Sequence, residues 1–132
     1  MQSYLLDTNA IIYLIGGRLA APLPAGHYSF SVISEIELLS ISGLSAADEQ
    51  KIHDLLTLLD RVELTQAVRL EAIQLRKKNK LKLPDAIIAA SAINRNATLL
   101  INDQAFHVTS GLSVESQKLP VNFAFFSRIE KF

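Results

Sequence analysis

Tyr4-Leu5-Leu6-Asp7-Thr8-Asn9-Ala10-Ile11-Ile12-Tyr13-Leu14-Ile15 is the stretch on which the fold turns. Three apolar residues stop at an acid, which reads as a short buried strand. Asp7, Thr8 and Asn9 are all helix-capping types. The apolar run from Ala10 to Ile15 then reads as a short helix, ended by Gly16-Gly17.

Working outward, a loop containing Pro22 and Pro24 runs to Gly26, and Tyr28-Ser29-Phe30 is a second short strand. Ser34-Glu35-Ile36-Glu37 fits a capping box and opens a helix through about Ile41. Ser45 starts another helix, with Ile52, Leu55, Leu56 and Leu59 at helical spacing. Val62-Glu63-Leu64 reads as a brief strand. Thr65 then caps a helix to about Asn79, followed by the basic loop Lys80-Leu81-Lys82-Leu83. Pro84 suits a first helical turn, and Asp85 to Asn96 reads as a helix rich in Ala and Ile. Thr98-Leu99-Leu100-Ile101 is a buried strand ending at Asn102-Asp103, and a last strand near Val121 precedes the aromatic tail Phe123-Ala124-Phe125-Phe126. Strands alternating with helices predict an α/β fold: a three-layer α/β/α sandwich around a mainly parallel sheet, formed by one domain over residues 1–132.

Composition narrows the function classes. The chain has 132 residues, 49% of them apolar and 20% charged, which suits one packed core and argues against disorder. There are no cysteines, so disulfide scaffolds, thiolate metal sites and a cysteine nucleophile are excluded. That is compatible with a cytoplasmic location. No apolar run is long enough to span a bilayer, and Asp7 breaks any signal-peptide reading of the start. The formal net charge is zero. That balance hides an asymmetry. Residues 69–95 hold seven basic and two acidic residues, a net of +5, and the remainder carries −5. Lys77, Lys78, Lys80 and Lys82 fall in this segment and are candidates for contact with a phosphate backbone; a solvated loop is the plainer alternative. His27, His53 and His107 are too scattered to suggest a metal cluster.

The acids carry the chemistry. Sites in open parallel sheets lie at the carboxyl ends of strands. Asp7 follows the first strand and Asp103 the fourth, while Glu37 and Asp85 read as first-turn residues of helices. Singly, each reads as a cap or a dipole-favoured acid. Together, if the sheet brings them to one edge, they repel: two like charges 4 Å apart cost roughly 4 kcal/mol at an effective dielectric near 20. Protonation relieves this, and so does a hard divalent cation with oxygen ligands, Mg²⁺ or Mn²⁺ foremost.

Four blocks carry a family likeness: Tyr4-Leu5-Leu6-Asp7-Thr8-Asn9, Ser31-Val32-Ile33-Ser34-Glu35-Ile36-Glu37-Leu38, Leu83-Pro84-Asp85-Ala86-Ile87-Ile88-Ala89-Ala90-Ser91-Ala92 and Leu99-Leu100-Ile101-Asn102-Asp103-Gln104-Ala105-Phe106. In this order and spacing the sequence resembles the PIN-domain nucleases, and among them the VapC-type toxins of toxin–antitoxin pairs. The resemblance implies metal-binding, catalytic acids at Asp7, Glu37, Asp85 and Asp103, with Asn9 as a polar residue beside the site. It also implies Mg²⁺- or Mn²⁺-dependent endonucleolytic cleavage of RNA, a small cognate antitoxin that enters the cleft, and a homodimer. Ile101 departs from the pattern, since the family often has Thr or Ser there.

Three other readings compete. A haloacid-dehalogenase-like phosphohydrolase wants a second Asp two residues after the first, and that position is Asn9. A phosphorelay receiver wants its acceptor at a central strand end, whereas Asp54 and Asp60 lie in or after a helix. The non-enzyme alternative is a catalytically weak or inactive PIN fold acting as an RNA-binding or protein-interaction module.

Overall fold

The computed structural model describes residues 2–16, 23, 25–101 and 114–116. In chain order they form β1 (Ser3–Leu6), α1 (Thr8–Ile15), β2 (His27–Ser31), α2 (Val32–Leu39), α3 (Ala46–Thr57), β3 (Asp60–Val62), α4 (Gln66–Lys78), α5 (Leu83–Asn94), β4 (Thr98–Ile101) and β5 (Val114–Ser116). The strands form one sheet in the order β3-β2-β1-β4-β5, and every pairing is parallel. The expectation of a three-layer α/β sandwich therefore holds.

The pleat of β1 and β4 assigns the layers. Alternate strand residues point to opposite faces. Tyr4, Leu6 and Leu100 join a core with Ile11, Ile12, Leu38, Ile52 and Leu56, beneath α1, α2 and α3. Leu5, Leu99 and Ile101 join the opposite core with Val68, Leu75, Ala86, Ala89 and Ala90, beneath α4 and α5. The small side chains of α5 let it lie close to both α4 and the sheet, and its whole run from Ala86 to Ala92 is buried. Gly26 serves a close approach of another kind. A Cβ there would stand 2.5 Å from the Gln2 carbonyl oxygen and 2.9 Å from the Tyr4 ring, so the entry to β2 fits against β1 only without a side chain.

Several boundaries differ from those read in the sequence. Helix α2 starts at Val32, capped by Ser31, whose Oγ accepts from the Ile33 amide; Ser34 is inside the helix and does not cap it. Glu37 is consequently in the second turn, not the first. Strand β3 covers Asp60–Val62 because its register with β2 ends at Ser31↔Val62, leaving Glu63 and Leu64 in the turn before the Thr65 cap. Pro84 follows Leu83 within the first turn of α5. Strand β5 was not foreseen. The strand near Val121 and the residues Asp103, Phe106, His107, Phe123, Phe125 and Phe126 lie outside the described residues. Among the described residues, no helix is long and apolar enough to cross a membrane.

Candidate metal centre

The strand order sets where a site belongs. From β1 the chain moves toward β2 on one side of the sheet, and from β4 it moves toward β5 on the other. The crevice outside the carboxyl ends of β1 and β4 is thus the switch point at which ligands bind in open α/β sheets. Asp7 stands in that crevice. Its amide donates to the Leu100 carbonyl (3.1 Å), extending the β1–β4 ladder by one residue. Its side chain is 4% exposed, and Oδ1 accepts from the Ala10 amide at 2.7 Å. Asp7 is therefore the N-cap of α1, as its residue type suggests. An ionised carboxylate at this depth is helped by that amide and by the positive end of the helix.

Thr8, the first residue of α1, connects this corner to α2. Its Oγ1 donates to Glu37 Oε1 at 2.8 Å and lies 2.9 Å from Ser34 Oγ. Ser34 is fully buried. Asp85 sits in the first turn of α5, half-buried, where the helix dipole favours its charge. Glu37 and Asp85 interact across the α2–α5 contact. Burial pushes the Glu37 carboxyl above its ordinary value of 4.5, the Thr8 hydrogen bond pulls it back, and the Asp85 charge pushes it up again.

Of the four acids, then, Glu37 feels the charge of Asp85, and Thr8, the residue after Asp7, bonds to Glu37. Asp103 falls outside the described residues. Among the described residues no three His, Cys, Asp or Glu side chains converge closely enough to cage an ion. The donor set nevertheless fits Mg²⁺ or Mn²⁺. It is all carboxylate oxygen, two of its members repel each other, and Mg²⁺ takes one or two carboxylates and keeps several waters. Asn9 is half-buried in the first turn of α1. Thr8 and Ser34, which the sequence reading took as capping residues, instead bond to each other and to Glu37.

The other candidates separate cleanly. Lys77 and Lys78 end α4, Lys80 follows, and Lys82 stands at the N-cap position of α5, without a side-chain capping bond, three residues before Asp85; all four are exposed. Ile101 is fully buried in the core under α4 and α5. His53 is exposed on α3. A cavity of about 240 Å³ lined by Ser3, His27, Tyr28, Ser29, Asp60 and Arg95 opens at the amino ends of the strands. That is the edge opposite Asp7, and Asp7, Glu37 and Asp85 are not among its lining residues.

Comparison with known proteins bears on the family and the fold. The family model described as PIN domain matches residues 4–112. VapBC2 from Rickettsia felis, bound to a DNA fragment from its promoter, superposes with a TM-score of 0.74 at 21% identity, covering 89% of this chain and 100% of that one. A toxin–antitoxin complex from Klebsiella pneumoniae has a TM-score of 0.68 at 29% identity, covering 83% of this chain and 94% of that one. DNA-bound VapBC from Salmonella typhimurium has a TM-score of 0.73 at 21% identity, covering 88% and 98%. None of the curated proteins compared matches the chain.

Proposed function

The chain belongs to the PIN-domain family, and from that premise we propose that it is a metal-dependent endoribonuclease and the toxin of a toxin–antitoxin pair. PIN-domain proteins are nucleases, so hydrolysis of a nucleic-acid phosphodiester is the reaction class. The observation that carries the finer reading is the buried Asp7 at the sheet's switch point, tied through Thr8 to the mutually repelling Glu37 and Asp85. RNA as substrate, a small antitoxin as partner, a homodimer and a cytoplasmic location belong to the same proposal. The complexes from Klebsiella pneumoniae and Rickettsia felis support the antitoxin.

Asp7, Glu37, Asp85 and Asp103 would hold Mg²⁺ or Mn²⁺. Such an ion supplies an acidified water as nucleophile and stabilises the leaving oxygen of the ester. The chain's own residues do the rest. The Ala10 amide fixes the Asp7 carboxylate in one rotamer, so the ligand is already in place before substrate arrives. Glu37, half-buried beside Asp85, either ligates or accepts a hydrogen bond from the attacking water. Asn9 hydrogen-bonds a ligand carboxylate or a water from the first turn of α1. Lys77, Lys78, Lys80 and Lys82 hold the RNA backbone by charge, without reading bases.

The test is cleavage of a single-stranded RNA by the purified full chain with Mn²⁺, with Mg²⁺ and with excess chelator, beside Asp7→Asn. Asn also caps helices, so the variant keeps α1. Cleavage that needs the divalent ion and is abolished in the folded variant is the expected result. Metal-independent cleavage, or full activity in Asp7→Asn, would refute the assignment. RNA binding without cleavage under every condition would favour the inactive-module reading.

A further inference from the structure

We propose that Thr8 is a positioning residue for Glu37 and that Ser34 sets the direction of the Thr8 hydroxyl, so that a two-hydroxyl relay between α1 and α2 presents one chosen oxygen of Glu37 to the metal. The inference rests on the reading of Glu37 as part of the metal site.

A hydroxyl carries one proton. Thr8 gives its proton to Glu37 Oε1 at 2.8 Å, so it has none for Ser34. Across the 2.9 Å contact the Ser34 hydroxyl must therefore be the donor. The chain of bonds runs Ser34 to Thr8 to Glu37. It commits Oε1 to the protein and leaves Oε2 as the oxygen for an ion or its water.

A second serine in the same fold shows that this arrangement is not how a buried helical serine usually finds a partner. Ser91 in α5 is as fully buried as Ser34, and it donates to the Ile87 carbonyl four residues back, within its own helix. Ser34 is the third residue of α2, and the carbonyl four residues back belongs to Phe30 in β2, outside the helix. Thr8 is the first residue of α1 and likewise has no helical carbonyl behind it. Both hydroxyls are thus freed from local bonds by their positions at helix starts, and they meet across 26 residues of sequence. Burying the Ser34 hydroxyl is costly unless it is bonded, and the bond it makes ends on the carboxylate of Glu37.

Groups that orient metal ligands typically contribute ten- to a hundredfold in affinity or activity. The experiment measures Mn²⁺ dissociation constants by isothermal titration calorimetry, and kcat and KM for RNA, on the full chain. It compares wild type with Thr8→Val, Thr8→Ser, Ser34→Ala and Asp7→Asn. Thr8→Val keeps the shape and the branch but removes the donor. It is expected to weaken Mn²⁺ roughly tenfold or more and to lower kcat, with KM for RNA unchanged. Thr8→Ser restores both, and Ser34→Ala gives a smaller loss in the same two quantities. Wild-type Mn²⁺ binding and kcat in Thr8→Val, while Asp7→Asn is impaired, would overturn the relay and leave the site standing. Wild-type Mn²⁺ binding in Asp7→Asn as well would overturn both. If Thr8→Val fails to fold, Ser34→Ala decides alone: a loss of Mn²⁺ affinity supports the relay, and wild-type affinity overturns it.

Discussion

The two ends of the sheet hold similar residue types and treat them differently. At the amino ends of the strands, Asp60 is 75% exposed and pairs with Arg95 at 3.8 Å, beside His27 and two serines in an open polar cavity. At the carboxyl ends, Asp7 is 4% exposed, and Glu37 accepts from a hydroxyl and feels the charge of a second carboxylate. Water and a basic partner relieve the charge at the first edge. At the second, burial and the charge of Asp85 raise the Glu37 carboxyl against the pull of its Thr8 bond, a cost that a bound cation would ease. The open cavity thus lies at one edge of the sheet, and the buried and mutually repelling acids proposed to hold the ion lie at the other.

Replacing Glu37 with Gln tests that cost most severely. Cleavage is expected to fall by at least about a hundredfold, which corresponds to roughly 2.7 kcal/mol of lost transition-state stabilisation. Stability should move the other way. The folded protein holds the Glu37 proton more tightly than the unfolded chain does, so the wild type loses stability as pH rises from the ordinary value of 4.5 through the raised one. Gln has no charge to desolvate and still accepts the Thr8 hydrogen bond. The variant should melt a few degrees above wild type at pH 7, with the gap closing below pH 4.5, by calorimetric melts across that range. A variant less stable than wild type at pH 7 would show that the carboxylate is comfortable where it is.

Removing the basic approach is expected to have an intermediate effect. Changing Lys77, Lys78, Lys80 and Lys82 together to Gln should raise KM for RNA while sparing kcat. It should also make the salt dependence of binding shallower by up to about 3 in log–log slope, since single-stranded contacts contribute about 0.7 each. An unchanged slope would identify the run as a solvated loop. The smallest effect belongs to the other end of the sheet. Arg95→Ala breaks the exposed pair with Asp60 and should cost less than about 1 kcal/mol, with cleavage unaltered. A cleavage defect there would erase the distinction between the two edges.

Much of this was legible in the residues, and the rest was hidden for identifiable reasons. Strands β1 and β4 could be read because short apolar runs stop at caps or acids. Helices α3 and α4 could be read because Ser45 and Thr65 make the capping bonds their types predict. The start of α2 was misread because Ser31 and Ser34, three residues apart, offer rival caps. The choice is made by β2, whose parallel register with β1 pairs Leu6 with Phe30 and carries the strand to Ser31. Val62-Glu63-Leu64 has the alternation of a strand, yet Leu64 is exposed and lies in the turn before α4. The places of Asp7 at the end of β1 and of Asp85 in the first turn of α5 followed from element ends alone. The Thr8–Ser34 contact could not be read, because it depends on how two helices approach and leaves no periodic trace in either.

The central claim is that the acids at the switch point bind a divalent ion. Crystals of the full chain grown with Mn²⁺, examined for anomalous scattering at the manganese edge, test it most directly. The account predicts a peak in the crevice beyond β1 and β4, within ligand or water-bridged reach of Asp7, Glu37 and Asp85. A map with no peak there, or with manganese only at the Asp60 edge, would contradict it.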